Sequence, residues 1–418
     1  MVASPDTGAR NTRNWVPGAL LLCLTLGLAT FGLVVLTSAG KSFKAADPHF
    51  IFRRQAFWLP LSLVAGLAAA YVDLDKIRAH IWKLYAFVCV LLLSARIPHI
   101  GRNVKGSWRW LEFGPIKLQV SDVGKIALIL TLAHYLAENR RWFSPPRPQL
   151  LQWRWPFIKF LSFRQTARFP YVAPVGEASG DFYNGFIKPC LIIGGICGLV
   201  AIEPDMGTTL LCAAVGGSLL FVSGVRHLYV WPLVATGGAA LTVLILNWEN
   251  RLRRVLAFLD PEGRRMDEAY QLWQGMLGFA CGGIDGMGLG NGMQSESFLP
   301  EAHTDFVFAI VGEDLGFWFT IAVAATFLAI FWVVASNLRR QQDLFRFNVC
   351  LGAMLFIVLQ ALINMGVVTG LLPTKGMSLP FISYGGTNLV MMFVLVGLIL
   401  NCMRTSSRIV LRGGRELP

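Results

Sequence analysis

The stretch SFLPEAHTDFVFAIVGEDLGF, residues 297–317, decides how the rest of the chain is read. After its first few residues it reads as the start of a membrane helix, yet it carries Glu301, His303, Asp305, Glu313 and Asp314. A charge at membrane depth costs at least ~2.5 kcal/mol per group on insertion scales. Asp305, Ala309, Gly312, Glu313 and Gly316 recur at helical spacing, so one stripe gathers two carboxylates and two glycines. Such a stripe belongs inside a bundle, away from lipid. Asp305 falls at the mouth of that helix, with Glu313 about 12 Å deeper at 1.5 Å per residue. A half-desolvated carboxylate at the mouth suits a general base. An acid in a first helical turn also answers the helix dipole with no chemistry at all. Glu313 reads as structural, paired within the bundle, and Asp314 points to a different partner. His303 is a weak, interfacial signal.

The totals agree with a membrane setting. The chain has 418 residues, 55% of them hydrophobic and 15% charged, with mean hydropathy +0.55. That is too apolar for an ordinary soluble protein and fits an all-α, polytopic membrane protein. The net charge of +13 points to lipid headgroups and lipid phosphates, not to nucleic acid. Of the 8 cysteines, seven sit in apolar runs and Cys281 lies alone in a polar loop, which describes free thiols and no disulfide framework.

A bilayer core of ~30 Å needs about 20 apolar residues in a helix. Ten runs qualify, near 17–39, 54–73, 80–97, 119–137, 187–203, 206–225, 229–247, 305–335, 346–370 and 382–403. They predict a single multi-pass domain over 1–418, the first run being retained and not removed as a signal peptide. An even number of spans puts both termini on one side. The 138–186 loop, with Arg140, Arg141, Arg147, Arg154, Lys159, Arg164 and Arg168, and the C-terminal tail, with Arg404, Arg408, Arg412 and Arg415, make that side cytoplasmic. The opposite loops are not poor in cations either: they hold Arg109 and Lys117, and the large 248–304 loop adds Arg251, Arg253, Arg254, Arg264 and Arg265. This outer excess suits an anionic ligand or plain lipid headgroups.

Four polar segments interrupt the apolar pattern. GGIDGMGLGNGMQSESFLPEAHTD, 282–305, including Gln294, cannot be a regular span. Irregular backbone near a membrane is tolerated where it lines a polar cavity, and such loops can cradle phosphate through backbone N–H groups; a plain surface loop is the other reading. In KGSWRWLEFGPIKLQVSDVGKIAL, 105–128, Asp122 and Lys125 stand three apart on one helical face. They are either an ion pair or, with Lys125 turned to a cavity, part of an anion site. In AIEPDMGTTL, 201–210, Pro204 and Asp205 are ordinary helix-start chemistry. GLLPTKGMSLPFISYGGTNLV, 370–390, breaks the last two spans apart and carries one cation, Lys375, with Ser383 and Tyr384 beginning the final run.

GSWRW with Lys125, EPDMGT, YQLWQ…GLGNGMQ…LPEAHTDFVFAIVGEDLG and LPTKGMSLPFISYGG, in this order and over nearly the whole chain, closely resemble the SEDS family (shape, elongation, division and sporulation), nearest its FtsW branch. Where that family usually has Gln-Pro-Ser/Ala-Glu, Gln-Pro-Asp, Gln-Ser and Ser-Ser, this chain has Gln119-Val120-Ser121-Asp122, Glu203-Pro204-Asp205, Gln274-Gly275 and Thr387-Asn388. The resemblance implies a SEDS-type fold and an inverting peptidoglycan glycosyltransferase. Such an enzyme polymerises lipid II on the outer face of the bacterial cytoplasmic membrane, with a septal role in cell division. It implies Asp305 as the essential acid. Arg109, Lys125, Lys375, Gln294, His303 and Ser383 become candidate pyrophosphate and sugar contacts, and Asp122, Asp205 and Glu313 supporting groups. A divalent cation, Mg or Mn, would suit the leaving pyrophosphate. Implied partners are lipid II, polyprenyl-linked glycan, a class B penicillin-binding protein acting as transpeptidase, and other divisome or elongasome membrane proteins. Two alternatives stay open: a lipid II transporter using the same polar bundle, and a non-enzymatic scaffold.

Overall fold

The computed structural model describes residues 7–40, 47, 49–97, 101–104, 107–113, 116–140, 182–225, 227–294, 298–341 and 343–412. Most of the 138–186 loop and the end of the C-terminal tail lie outside the described residues. The helices are α1 (Thr7–Ala39), α2 (Phe50–Tyr71), α3 (Leu74–Ala79), α4 (Ile81–Ser94), α5 (Val120–Glu138), α6 (Lys188–Ile202, entered through a π turn at Tyr183–Ile187), α7 (Met206–Ser223), α8 (His227–Leu246), α9 (Glu249–Leu259), α10 (Tyr270–Gly282), α11 (Val307–Leu338), α12 (Leu344–Val368) and α13 (Gly386–Arg412). Each of the ten apolar runs falls on a helix. Among the described residues, seven helices are long and apolar enough to cross a membrane. They carry the first, fourth to sixth and eighth to tenth runs, whereas α4 has only 14 residues.

α5 and α12 form the centre. α5 is buried almost without a break from Val120 to Leu136, and α12 is buried over most of Phe345–Val368. Burial on all sides explains why neither shows an amphipathic stripe. Glycine lets other helices close on this centre. A side chain at Gly66 of α2 would stand 2.7 Å from the Phe393 carbonyl of α13, and one at Gly397 would strike the Gly66 carbonyl. The α2 and α13 backbones therefore touch, the small-residue packing that replaces hydrophobic drive in lipid. Gly32 of α1 meets the backbone of Ile382 in the same way, at 2.7 Å. α8 stands at the rim, with Trp231, Val234 and Leu246 exposed. All eight cysteines are free.

Three features differ from the sequence expectation. A small antiparallel meander, β1 (Gly101–Val104), β2 (Ser107–Phe113) and β3 (Ile116–Gln119), precedes α5; Trp110 pairs with Gln119 and Glu112 with Lys117. Its alternation of basic and aromatic residues is what a period-two strand gives as well as what a membrane interface gives. The 248–304 segment is not loop throughout, since it contains α9 and α10. The span expected over 305–335 is two helices. Gly316 (φ 78, ψ −169) breaks α11, and Asp305 sits in a turn ahead of it, outside the helix.

Candidate active site

The break at Gly316 answers how the acidic stretch is tolerated. Glu313 and Asp314 end a short helical piece, and the glycine loop folds over that end. Met293 and Gln294 donate backbone N–H groups to Glu313 Oε1 at 2.8 and 3.1 Å, and Gly290 donates to Asp314 Oδ2 at 3.1 Å. Met287 and Gly288 donate to the backbone carbonyls of the same two residues at 2.9 Å each. Both carboxylates are fully buried, and charge-assisted bonds of this kind offset their desolvation. The loop thus cradles the chain's own carboxylates, which overturns the phosphate-cradle reading of 282–305. The middle of the expected stripe faces the bundle, with Gly278 and Gly282 of α10 against Ala309, Gly312 and Glu313, while Asp305 precedes the helix and Gly316 breaks it.

Asp305 is placed by the turn just before α11. Glu301 is in the left-handed region (φ 55), and its carbonyl accepts from the N–H groups of Thr304, Asp305 and Phe306 at 3.1, 3.2 and 3.4 Å. Its side chain accepts from Thr304 Oγ1 at 3.1 Å, while Gln271 of α10 holds the Pro300 carbonyl at 2.9 Å. Phe306, 1% exposed, plugs the turn into the core against Gly275. Asp305 itself is half-buried.

The other segments meet it. A β-carbon built at Gly376 would lie 2.6 Å from Asp305 Oδ2, so the LPTKG segment runs directly beside the carboxylate. Its neighbour Lys375 is half-buried and donates to the Met206 carbonyl at 3.5 Å. One residue earlier, Asp205 caps α7, accepting from Thr208 N at 3.1 Å and from Thr208 Oγ1 at 3.0 Å. Gln119 Nε2 and Ser121 Oγ reach its Oδ2 at 3.3 Å each. Arg109 stands 3.6 Å from the same oxygen. Arg109, Asp205, Met206, Lys375, Gly376 and Asp305 therefore form one continuous line at one end of the bundle, with Asp205 serving as the helix start that the sequence predicts.

The remaining sequence candidates are placed as follows. His303 is buried, its ring 5.7 Å from that of Tyr384, and its carbonyl accepts from Tyr384 N at 2.9 Å; it is a joint between two segments and not an interfacial side chain. Ser383 Oγ accepts from Leu379 N at 2.8 Å, closing its own loop ahead of α13, which starts at Gly386 and not at the serine. Gln294 is buried, and among the described residues its Oε1 has no hydrogen-bond partner. Lys125 is buried, paired with Asp122 at 2.8 Å and donating to Gln360 Oε1 at 3.0 Å, so the i,i+3 pair is present and the cation is spent inside the bundle. Sequence reasoning passed over Gln360 and Asn364. Two amides at helical i,i+4 spacing inside an apolar run were the signal available.

Glu203, in the turn between α6 and α7, is 1% exposed. Burial and then the adjacent Asp205 push its carboxyl up to about 8, against the opposing pull of Arg109. Between its ordinary range near 4.5 and about 8, the folded chain keeps a proton that the unfolded chain has released. Stability therefore falls as pH rises through that window, by up to about 1.4 kcal/mol per pH unit, and levels off above it. Glu203→Gln is expected to remove this slope. In thermal melts the variant should exceed wild type at pH 8.5 and converge with it near pH 4.5; parallel profiles would refute the assignment.

Among the described residues no group of three or more His, Cys, Asp or Glu is placed to hold a metal ion.

The profile of the family described as Cell cycle protein, FtsW/RodA/SpoVE, matches residues 19–166 and 171–408. Among similar curated proteins is a probable peptidoglycan glycosyltransferase FtsW of Coxiella burnetii, 33% identical over 401 residues, covering 94% of this chain and 97% of that one. Another of the same description, from Allochromatium vinosum, is 35% identical over 388 residues, covering 91% and 88%. Among solved structures, a chain of a peptidoglycan synthase complex, described as coordinating polymerization and crosslinking, aligns with TM-score 0.68 at 23% identity over 92% of this chain and 97% of that one. Thermus thermophilus rod shape determining protein RodA aligns with TM-score 0.61 at 21% identity, covering 92% and 95%. Family profile, relatives and fold agree over nearly the full length: this chain belongs to the FtsW/RodA/SpoVE family of multi-pass membrane proteins.

Proposed function

We propose that this protein is a peptidoglycan glycosyltransferase that polymerises lipid II in septal cell-wall synthesis, with Asp305 as its general base. The observation that carries the reading is a run of contacts at one end of the bundle: the LPTKG segment lies beside the half-buried Asp305 carboxylate, Lys375 of that segment donates to the Met206 carbonyl next to the EPD turn, and Arg109 stands at Asp205 of that turn. The acceptor's 4-hydroxyl attacks the donor's anomeric carbon and a polyprenyl pyrophosphate leaves. An alcohol is a poor nucleophile, and a positioned base contributes ~10²–10⁴-fold. Asp305 takes the hydroxyl proton as the new bond forms. The departing pyrophosphate needs no acid, only positive charge. Lys375 and Arg109 supply it, and Arg109 Nε lacks a hydrogen-bond partner among the described residues. One displacement inverts α to β.

The outer face is the side assigned to this site. In support, Lys76, Arg78, Lys83, Arg339, Arg340 and Arg346 lie at the other ends of the spans, where the positive-inside rule places cytoplasm; both termini share that side. A class B penicillin-binding protein is the transpeptidase partner, a reading supported by the fold shared with the peptidoglycan synthase complex. The transporter alternative is weakened because the intramembrane charges it would use are consumed, Lys125 by Asp122 and Glu313 by the glycine loop. Detergent micelles have no sidedness, so a polymerase makes glycan from lipid II there and a transporter makes none. Polymer from the solubilised full-length protein and its partner is the expected result.

A further inference from the structure

We propose that Asn364 of α12 is a positioning residue for this reaction: it holds the main chain at Asp305 in register with the 375–378 segment, and so sets where the carboxyl stands. The inference rests on Asp305 being the base. Asn364 is 1% exposed. Its Nδ2 donates to the Asp305 carbonyl at 2.7 Å and to the Met377 carbonyl at 2.5 Å. An amide nitrogen has two hydrogens, and both are used on main-chain carbonyls from two distant segments. Among the described residues its buried Oδ1 has no hydrogen-bond partner, a cost a side chain kept only for packing would not need to carry. The turn that bears Asp305 is also closed through the Glu301 carbonyl and tied by Gln271 at Pro300 and by Tyr384 N at the His303 carbonyl; Asn364 is its tie to α12. Gly376, adjacent to Met377, lies against Asp305 Oδ2. A shift of the Met377 carbonyl therefore moves the wall of the carboxylate's pocket.

Gln360, one turn earlier on the same face, extends the clamp. Its Nε2 donates to the Ser378 carbonyl at 2.9 Å and to Asn388 Oδ1 at 3.2 Å, while its Oε1 accepts from Lys125. The buried Asp122–Lys125 pair thus anchors an amide ladder that ends at Asp305. This gives the two charges in the centre of α5 a use that is neither transport nor ligand binding.

The test compares full-length variants polymerising lipid II in detergent with the partner present. Asn364→Asp keeps the volume and removes the donors; its kcat is expected to fall about 10²-fold, as a small misplacement of a reacting group does. KM should stay within about threefold, since no substrate contact is lost. Asn401→Ala is the structural control: Asn401 Nδ2 also bridges two carbonyls, of Ala69 at 3.0 Å and Val72 at 2.7 Å. That variant is expected to lose thermal stability comparably while keeping kcat. Should Asn364→Asp fail to fold, Gly376→Ala carries the same prediction, because its methyl meets Asp305 Oδ2. Asn364→Asp, or Gly376→Ala in its place, with wild-type kcat, or an Asn401→Ala variant losing kcat equally, overturns the positioning role while an inactive Asp305→Asn leaves the base standing. A polymerising Asp305→Asn overturns both.

Discussion

Asp305→Asn is expected to lower glycan polymerisation by ~10²–10⁴-fold, the range a general base contributes, with folding intact. The substitution is isosteric. The bonds that shape the turn are made by backbone: Asp305 N to the Glu301 carbonyl at 3.2 Å, and Asn364 to the Asp305 carbonyl. Both survive the change, and so does Phe306 as the plug. What is lost is the ability to accept a proton. Asp305→Glu should also lose rate, because the added methylene drives the carboxylate into the space that Gly376 leaves open at 2.6 Å. Chain-length analysis of the glycan by gel, alongside thermal melts, separates the two effects. An unfolded Asp305→Asn variant would show that the residue is structural.

Gly316→Ala is expected to destabilise the protein by roughly 3 kcal/mol or more. The backbone there has φ 78 and ψ −169, a region that only glycine occupies without strain of about 1–3 kcal/mol. A β-carbon would also strike the Ile284 carbonyl and Gly286 N, and overpacking adds about 1–3 kcal/mol. The damage has a defined path. Phe317 N donates to the Gly283 and Ile284 carbonyls at 3.1 Å each, so pushing those residues away unpins the loop whose backbone N–H groups bond Glu313 and Asp314. Gly217→Ala in α7 is the comparison, since nothing lies within 4 Å of its β-carbon. There the change should be neutral or stabilising by up to about 1 kcal/mol, as Ala is the better helix former. Equal melting temperatures for the two variants would contradict this account of the break.

Helix existence was legible along the chain because a bilayer demands long apolar runs, and each run produced its helix. Asp305 stood out through the family resemblance, since an acid at a helix mouth reads equally as a helix start; that Gly376 lies beside its carboxylate was not legible. The break at Gly316 was hidden, since a glycine in an apolar run reads equally as a packing site. The meander over 101–119 was hidden by chemistry shared between an interfacial segment and a strand. Lys125 and Ser383 looked like ligand contacts because a sequence shows side-chain chemistry and not what has already consumed it: Asp122 takes one and Leu379 N the other. The glycine loop misled for the same reason, as its N–H groups are filled from within.

The most direct test of the central claim is polymer yield from lipid II in detergent, wild type against Asp305→Asn, each with its transpeptidase partner and each shown to be folded. Glycan strands from wild type and none above background from the variant are the predicted outcome. Equal strands from both would contradict it.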